Sequence, residues 1–122
     1  QLGIIGYGRI GRAVAARAEP FGLRVAFADV QAAPGSGAIP IDRLLASSDI
    51  VSIHCPLTPE TRHLINQAAL ARMKRSAYLV NTSRGPVVDE AALAWALKNG
   101  ERYGVWGGLT EQQRRRLQRR VA

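Results

Sequence analysis

The sequence predicts an α/β fold in which helices cover a doubly wound parallel sheet, and three observations carry that expectation. Short apolar runs alternate with segments of helical spacing along the first hundred residues, the signature of strands joined by crossover helices. The first run ends in a glycine cluster, Gly6-Tyr7-Gly8-Arg9-Ile10-Gly11, and an aspartate, Asp29, closes the second run 18 residues after Gly11. A chain of 122 residues is long enough for one domain with one hydrophobic core.

Leu2-Gly3-Ile4-Ile5-Gly6 is an apolar run that enters the glycine cluster, as a buried parallel strand does. From Arg9 to Ala18 the apolar positions Ile10, Ala13, Val14 and Ala18 recur at helical spacing, and Pro20 with Gly22 closes the helix. Arg24 to Asp29 reads as the second strand, and the Gly-, Pro- and Ala-rich stretch 32–40 as a loop. Ile41 to Ala46 suggests a short helix, and Ile50-Val51-Ser52-Ile53-His54 a third strand halted by Pro56 and Pro59. Asn66 caps a helix carrying Leu70 and Met73, with Arg72, Lys74 and Arg75 near its negative end. Ala77 to Asn81 is the fourth strand. Asp89 caps a last helix with Ala92, Leu93, Ala96 and Leu97 on one face, ended by Asn99-Gly100. No internal repeat is visible.

Composition excludes several function classes. Apolar residues make up 47% and charged residues 21%, an ordinary globular balance without a disorder signature. No run approaches the roughly 18 uncharged apolar residues of a membrane helix; no membrane partner is expected, and a cytoplasmic location is. Cys55 stands alone and has no internal partner for a disulfide. The net charge of +8 is uneven: residues 101–122 hold six arginines against two glutamates, so the first hundred carry only +4. A basic block at one terminus is a tail property, and nucleic acid is not expected as a partner of the domain.

The glycine cluster matches G-x-G-x-x-G, and its setting gives the pattern weight: it follows a strand, opens a helix and precedes an acidic strand end. Gly6 permits the tight turn, Gly8 lets a pyrophosphate approach the backbone, and Gly11 lets helix and strand pack closely. The free N–H groups and dipole of the helix then receive the phosphate charge. Asp29 accepts hydrogen bonds from adenosine ribose hydroxyls and repels a 2′-phosphate, which favours NAD over NADP. The competing reading is a tight turn in another α/β protein, with Asp29 a solvated strand end.

Two later segments, His54-Cys55-Pro56-Leu57-Thr58-Pro59-Glu60-Thr61 and Asn81-Thr82-Ser83-Arg84-Gly85, lie at carboxyl ends of strands, where open α/β sheets bind ligands. With Gly-Tyr-Gly-Arg-Ile-Gly and Val88-Asp89-Glu90-Ala91-Ala92-Leu93, they resemble the Rossmann-type NAD-binding domain of the D-isomer-specific 2-hydroxyacid dehydrogenases, over residues 2 to about 101. The resemblance implies an NAD-dependent oxidoreductase acting on CH-OH donors, with NAD(H) as cofactor, a small 2-oxo acid as substrate, and a homodimer. It places Arg9 and Ile10 against the pyrophosphate and Asp29 on the ribose. It counts His54, Cys55, Pro56 and Thr61 among the cofactor-binding residues, and brings Thr82 and Ser83 toward the nicotinamide. Arg84 is the catalytic residue it implies, gripping the carboxylate and carbonyl oxygen of the oxo acid as charge develops. No metal is implied.

Simpler roles stand beside these. Cys55 has neither an activating partner nor a nucleophile elbow and fits a pocket-lining thiol. His54 reads as structural and His63 as solvated, because the family's acid-base histidine follows the arginine in the chain. Asp89 and Glu90 sit in a first helical turn, where capping explains them.

The chain departs from the family after Glu101. Where relatives continue with a strand resembling Ile-Ala-Gly-Ala-Gly-Leu-Asp-Val and then a catalytic glutamate and histidine, it reads Arg102-Tyr103-Gly104-Val105-Trp106-Gly107-Gly108-Leu109. Gly108 stands in the aspartate's place, and no glutamate–histidine pair follows. The expectation is a domain over 1–109, incomplete at its C-terminal side and truncated relative to the enzyme, followed by a basic helix or tail at 110–122. Such a chain lacks a general acid and is expected to be inactive alone. The alternative function is a non-catalytic NAD-binding regulatory module of co-repressor type, and a third is a nucleic-acid binder acting through the arginine tail.

Overall fold

The computed structural model describes residues 1–98. Four short strands, β1 (Leu2–Ile5), β2 (Val25–Ala28), β3 (Ile50–Ile53) and β4 (Tyr78–Asn81), form one sheet in the order β2-β1-β3-β4. Every pairing is parallel: Leu2 lies beside Val25 and Ile50, and Ile50 beside Tyr78. The helices are α1 (Arg9–Ala18), α2 (Ile41–Ser47), α3 (Gln67–Arg72) and α4 (Glu90–Lys98). The expected α/β architecture is therefore present. Asn99-Gly100, the strand-like segment 102–109, the domain boundary at 109 and the basic tail 110–122 lie outside the described residues.

Alternation along the strands sorts the core into two layers. Leu2 and Ile4 face α1 and pack with Ala15 and Ala18, joined by Val14, Leu23, Val25 and Phe27. Ile5, Val51, Ile53 and Leu79 face the other way, onto Leu44 and Leu45 of α2, Leu70 of α3 and Leu93 of α4. Fully burying each of these large side chains contributes roughly 1.5–3 kcal/mol. Gly3 lets α2 sit directly on the sheet, since a Cβ there would meet Leu44 Cδ2 at 2.7 Å and collide with the Ser48 hydroxyl.

Strands β1, β2 and β3 end one residue before the sequence expectation, since Gly6, Asp29 and His54 belong to the turns that line the crevice, and β2 and β4 each begin one residue late. Arg9–Ala18 forms as expected, while α2 runs one residue further than Ala46, to Ser47. Asn66 caps α3 by accepting from the Ala69 N–H at 3.0 Å, and Asp89 Oδ1 accepts from the Ala91 and Ala92 N–H groups. Two 3-10 turns, Glu19–Phe21 and Gly85–Val87, were not legible as elements. Each has a proline in its first turn, which starts a helical turn but also reads as a break. Among the described residues no helix is long and apolar enough to cross a membrane.

The chain leaves β1 outward to β2 and returns across β1 to β3, so the strand order reverses between β1 and β3. The connections that leave their carboxyl ends run to opposite faces of the sheet, α1 on one and α3 on the other, and a crevice is left between them.

Candidate functional site

The glycine loop leads from β1 into α1 and is shaped by what its glycines lack. Gly6 has a φ of +90°, a conformation that side chains disfavour, and a Cβ on it would meet the Cys55 backbone N at 2.5 Å. The absence of a side chain thus lets the turn after β1 lie against the turn after β3. Gly11 is buried beneath the Gly6 carbonyl, with Ile4 3.2 Å from its would-be Cβ. Gly8 differs: a Cβ there would have nothing within 4 Å. It is the N-cap of α1, offers no capping side chain, and the first turn has no acidic residue. The first N–H groups of α1 therefore face open space with the positive end of the helix dipole behind them.

Asp29 ends β2 beside this loop. Its Oδ2 accepts from the Tyr7 N–H at 2.7 Å and its Oδ1 from the Gln31 N–H at 2.9 Å. The Tyr7 ring stacks on Phe27 of β2 with centroids 3.8 Å apart, and the Arg12 guanidinium lies over it. Sequence reasoning assigned Asp29 a ligand and missed that it also fastens the glycine loop.

Three recesses meet along the crevice. One, of about 200 Å³, is walled mainly by apolar residues, among them Ala28, Val30, Ile39, Pro40, Ile41 and Leu64. The 39–41 wall belongs to a stretch the sequence marked partly as loop; Ile39 is drawn in when its N–H donates to the Phe27 carbonyl at 2.9 Å. A second recess, of about 430 Å³, is bounded by Gly6, Gly8, Asp29, His54, Cys55, Pro56 and Thr61. The third, of about 500 Å³, is bounded by Ile10, His54, Cys55, Pro56, Thr82, Ser83 and Arg84. Eleven of the thirteen residues singled out in the sequence thus line the second or third recess. Gly11 lines none, being buried, and Arg9 lines none, its side chain being exposed at the start of α1.

The turns after β3 and β4 are held by side chains. Thr61 is 1% exposed; its hydroxyl donates to the Pro56 carbonyl at 2.6 Å and accepts from the Thr58 N–H at 2.8 Å. This staples the Cys-Pro-Leu-Thr turn from inside. Asn81, also buried, donates from Nδ2 to the Arg84 carbonyl and accepts at Oδ1 from the Ser83 N–H, both at 3.0 Å. These bonds curl residues 81–84 so that Arg84 borders the recess. The Ser83 hydroxyl donates to the Cys55 carbonyl. His54 lies between Ser52 and Thr82, 2.8 Å and 3.1 Å from their hydroxyls. Burial lowers the His54 pKa from its ordinary value, favouring the neutral ring. Burial also raises the Cys55 thiol, with the Asp29 charge adding to the effect against a backbone hydrogen bond. Cys55 is 5% exposed and has the environment of a packed thiol rather than a nucleophile.

A sequence profile described as D-isomer specific 2-hydroxyacid dehydrogenase, NAD binding domain, matches residues 1–116. A glyoxylate reductase of Korarchaeum cryptofilum is 49% identical over 118 residues, covering 92% of this chain and 36% of that protein. A glycerate dehydrogenase of Methylorubrum extorquens is 50% identical over 112 residues, covering 92% and 35%. Among solved structures, D-lactate dehydrogenase from Aquifex aeolicus complexed with NAD and lactic acid superposes with a TM-score of 0.79 at 37% identity, covering 98% of this chain and 38% of that one. The apo-structure of the Escherichia coli D-lactate dehydrogenase gives 0.79 at 38% identity, covering 87% and 35%. The chain spans about a third of the length of the curated relatives it matches. With its parallel sheet, glycine loop and crevice at the strand reversal, the chain belongs to the NAD-binding domain family of the D-isomer-specific 2-hydroxyacid dehydrogenases.

Proposed function

We propose that the chain is the NAD-binding portion of a cytoplasmic, homodimeric 2-hydroxyacid dehydrogenase, holding NAD in the crevice between β1 and β3 and presenting Arg84 to a 2-oxo acid. One observation carries the reading. The open N-terminal turn of α1, the Asp29 carboxylate and the turns at 54–56 and 82–84 all converge on that crevice.

The residues fit the cofactor. The space in front of Gly8 accommodates a pyrophosphate against the first N–H groups of α1. Each Asp29 oxygen accepts one backbone N–H, and a carboxylate has about four lone-pair sites, which leaves capacity for two ribose hydroxyls. Asp29 also disfavours a 2′-phosphate by like charge. The apolar recess beside Ile39 and Leu64 suits a flat base. Ile10, Pro56 and Leu57 give an apolar border to the end where Thr82, Ser83 and Arg84 stand. Arg84 orients the substrate by a bidentate grip on its carboxylate and stabilises oxygen charge at the reacting carbon. NAD, when bound, supplies the hydride chemistry.

No histidine follows His63 in these 122 residues, so they contain no imidazole beyond Arg84 to serve as the general acid. By themselves they bind cofactor and turn over negligible substrate. The same lack of acid-base residues within these 122 favours the second reading, a non-catalytic NAD-binding module of co-repressor type.

Calorimetric titration of the purified chain with NAD and then NADP tests the first step. Selective NAD binding supports the reading; equal binding of both, or none to a folded chain, refutes it.

A further inference from the structure

We propose that His54 is a positioning residue: its imidazole, held in the Nδ1–H form, locks the turn after β4 onto the end of β3. The geometry stands on its own, while the consequence for ligand binding rests on the NAD-site reading above.

Both ring nitrogens are already committed. Nε2 lies 2.8 Å from Ser52 Oγ, two residues back on the same face of β3, and Nδ1 lies 3.1 Å from Thr82 Oγ1. The Thr82 hydroxyl in turn donates to the Ile53 carbonyl at 3.3 Å. A hydroxyl has one proton. Having given it to Ile53, Thr82 accepts from His54, so Nδ1 carries the ring proton. Nε2 is then a lone pair and accepts from the Ser52 hydroxyl. The result is a chain with one direction, from Ser52 through His54 and Thr82 to the Ile53 carbonyl, in which every proton has an acceptor. The opposite tautomer leaves the hydroxyl proton of Ser52, which is 7% exposed, without an acceptor among the described residues, and such a group costs free energy.

The lock matters because of its neighbours. Ser83 is fastened to the Cys55 carbonyl and Asn81 to the Arg84 carbonyl and the Ser83 N–H, and the Thr82 bonds act with these to hold residues 81–84 in place. His54 therefore contributes to the recess by fixing Thr82 and Ser83, not by offering a nitrogen to a ligand. That refines the sequence-based expectation of direct cofactor contact.

The test has two arms. Imidazole ¹⁵N spectra of the ¹⁵N-labelled wild-type chain without ligand are expected to show a protonated Nδ1 and a pyridine-type Nε2. A protonated Nε2, or an averaged pair, overturns the proposal. In the second arm, His54→Asn keeps an N–H donor near the Nδ1 position and His54→Phe keeps a ring without one. NAD affinity, measured by calorimetry, is expected to fall less than about threefold in the first and about tenfold in the second, the loss of one hydrogen bond. Equal losses in both variants, or none in His54→Phe, overturn it. If the wild-type chain binds no NAD, the functional reading fails while the ¹⁵N spectrum still decides the lock.

Discussion

The Asp29 carboxylate accepts the Tyr7 backbone N–H at 2.7 Å, which ties the end of β2 to the middle of the glycine loop. The residue read from sequence as a ribose acceptor is therefore also part of the scaffold that shapes the glycine turn proposed to receive the pyrophosphate. Two roles on one side chain mean that removing it should have two separable effects.

Asp29→Ala is expected to destabilise the ligand-free chain by about 1–3 kcal/mol, since it leaves the Tyr7 and Gln31 N–H groups without their charged acceptor. It should also weaken NAD binding by more than the loss of folded fraction explains. Urea unfolding without ligand, compared with calorimetry on the folded variant, separates the two. An unchanged unfolding midpoint would contradict the scaffold role.

Gly8 and Gly11 should behave oppositely when replaced by alanine. At Gly11 the new methyl group collides with the Gly6 carbonyl, and overpacking of this kind costs about 1–3 kcal/mol. At Gly8 the space is open, so the methyl group meets nothing and the cost is the poorer N-cap preference of alanine, about 0.5–1 kcal/mol. NAD affinity should nevertheless drop at least about tenfold, because the methyl group occupies the proposed pyrophosphate position. Thermal unfolding and calorimetry on both variants check the contrast.

Burial holds the His54 pKa below its ordinary 6.5, which fixes the sign of a pH effect. The unfolded chain takes up a proton near pH 6.5 that the folded chain still refuses. The His54 contribution to stability is thus fully present above pH 6.5, falls as pH drops below it, and levels off below the folded pKa. The other ionisable side chains of the two recesses it lines are Cys55, Arg84, Asp29 and Glu60. NMR titration of the ring should give a midpoint under 6.5, and that part of the pH dependence of unfolding should vanish in His54→Asn. A midpoint above 6.5 would contradict the burial argument.

Cys55 should be slow to alkylate. Its thiol is buried and its pKa raised, and the thiolate is the reactive species. Iodoacetamide at pH 8 is expected to label the folded chain at least about tenfold more slowly than the urea-unfolded chain. Equal rates would mean that the turn after β3 opens readily.

How much of this was legible beforehand depended on whether the cause was local. Arg9–Ala18 could be read because its apolar spacing and closing residues lie within the segment, and Asn66 and Asp89 because a cap acts over three residues. The glycine pattern was legible for the same reason. What stayed hidden is made by groups far apart in sequence. The Thr82 hydroxyl meets His54 across 28 residues and Tyr7 meets Asp29 across 22. Ile39 and Pro40 looked like loop because their place against the recess depends on a backbone bond to Phe27. Thr61 could be placed near the crevice by resemblance, yet its role as an internal staple needed the fold of the whole 56–61 turn.

The most direct test of the account is an NAD titration of the ¹⁵N-labelled chain followed through its backbone amides. The largest shifts are expected at Gly8, Arg9, Ile10 and Gly11, at Asp29 and Cys55, and at Thr82 and Ser83, with the α3 amides from Gln67 to Arg72 nearly still. Shifts centred elsewhere, or none in a folded chain, would contradict the assignment of the crevice between β1 and β3 as the cofactor site.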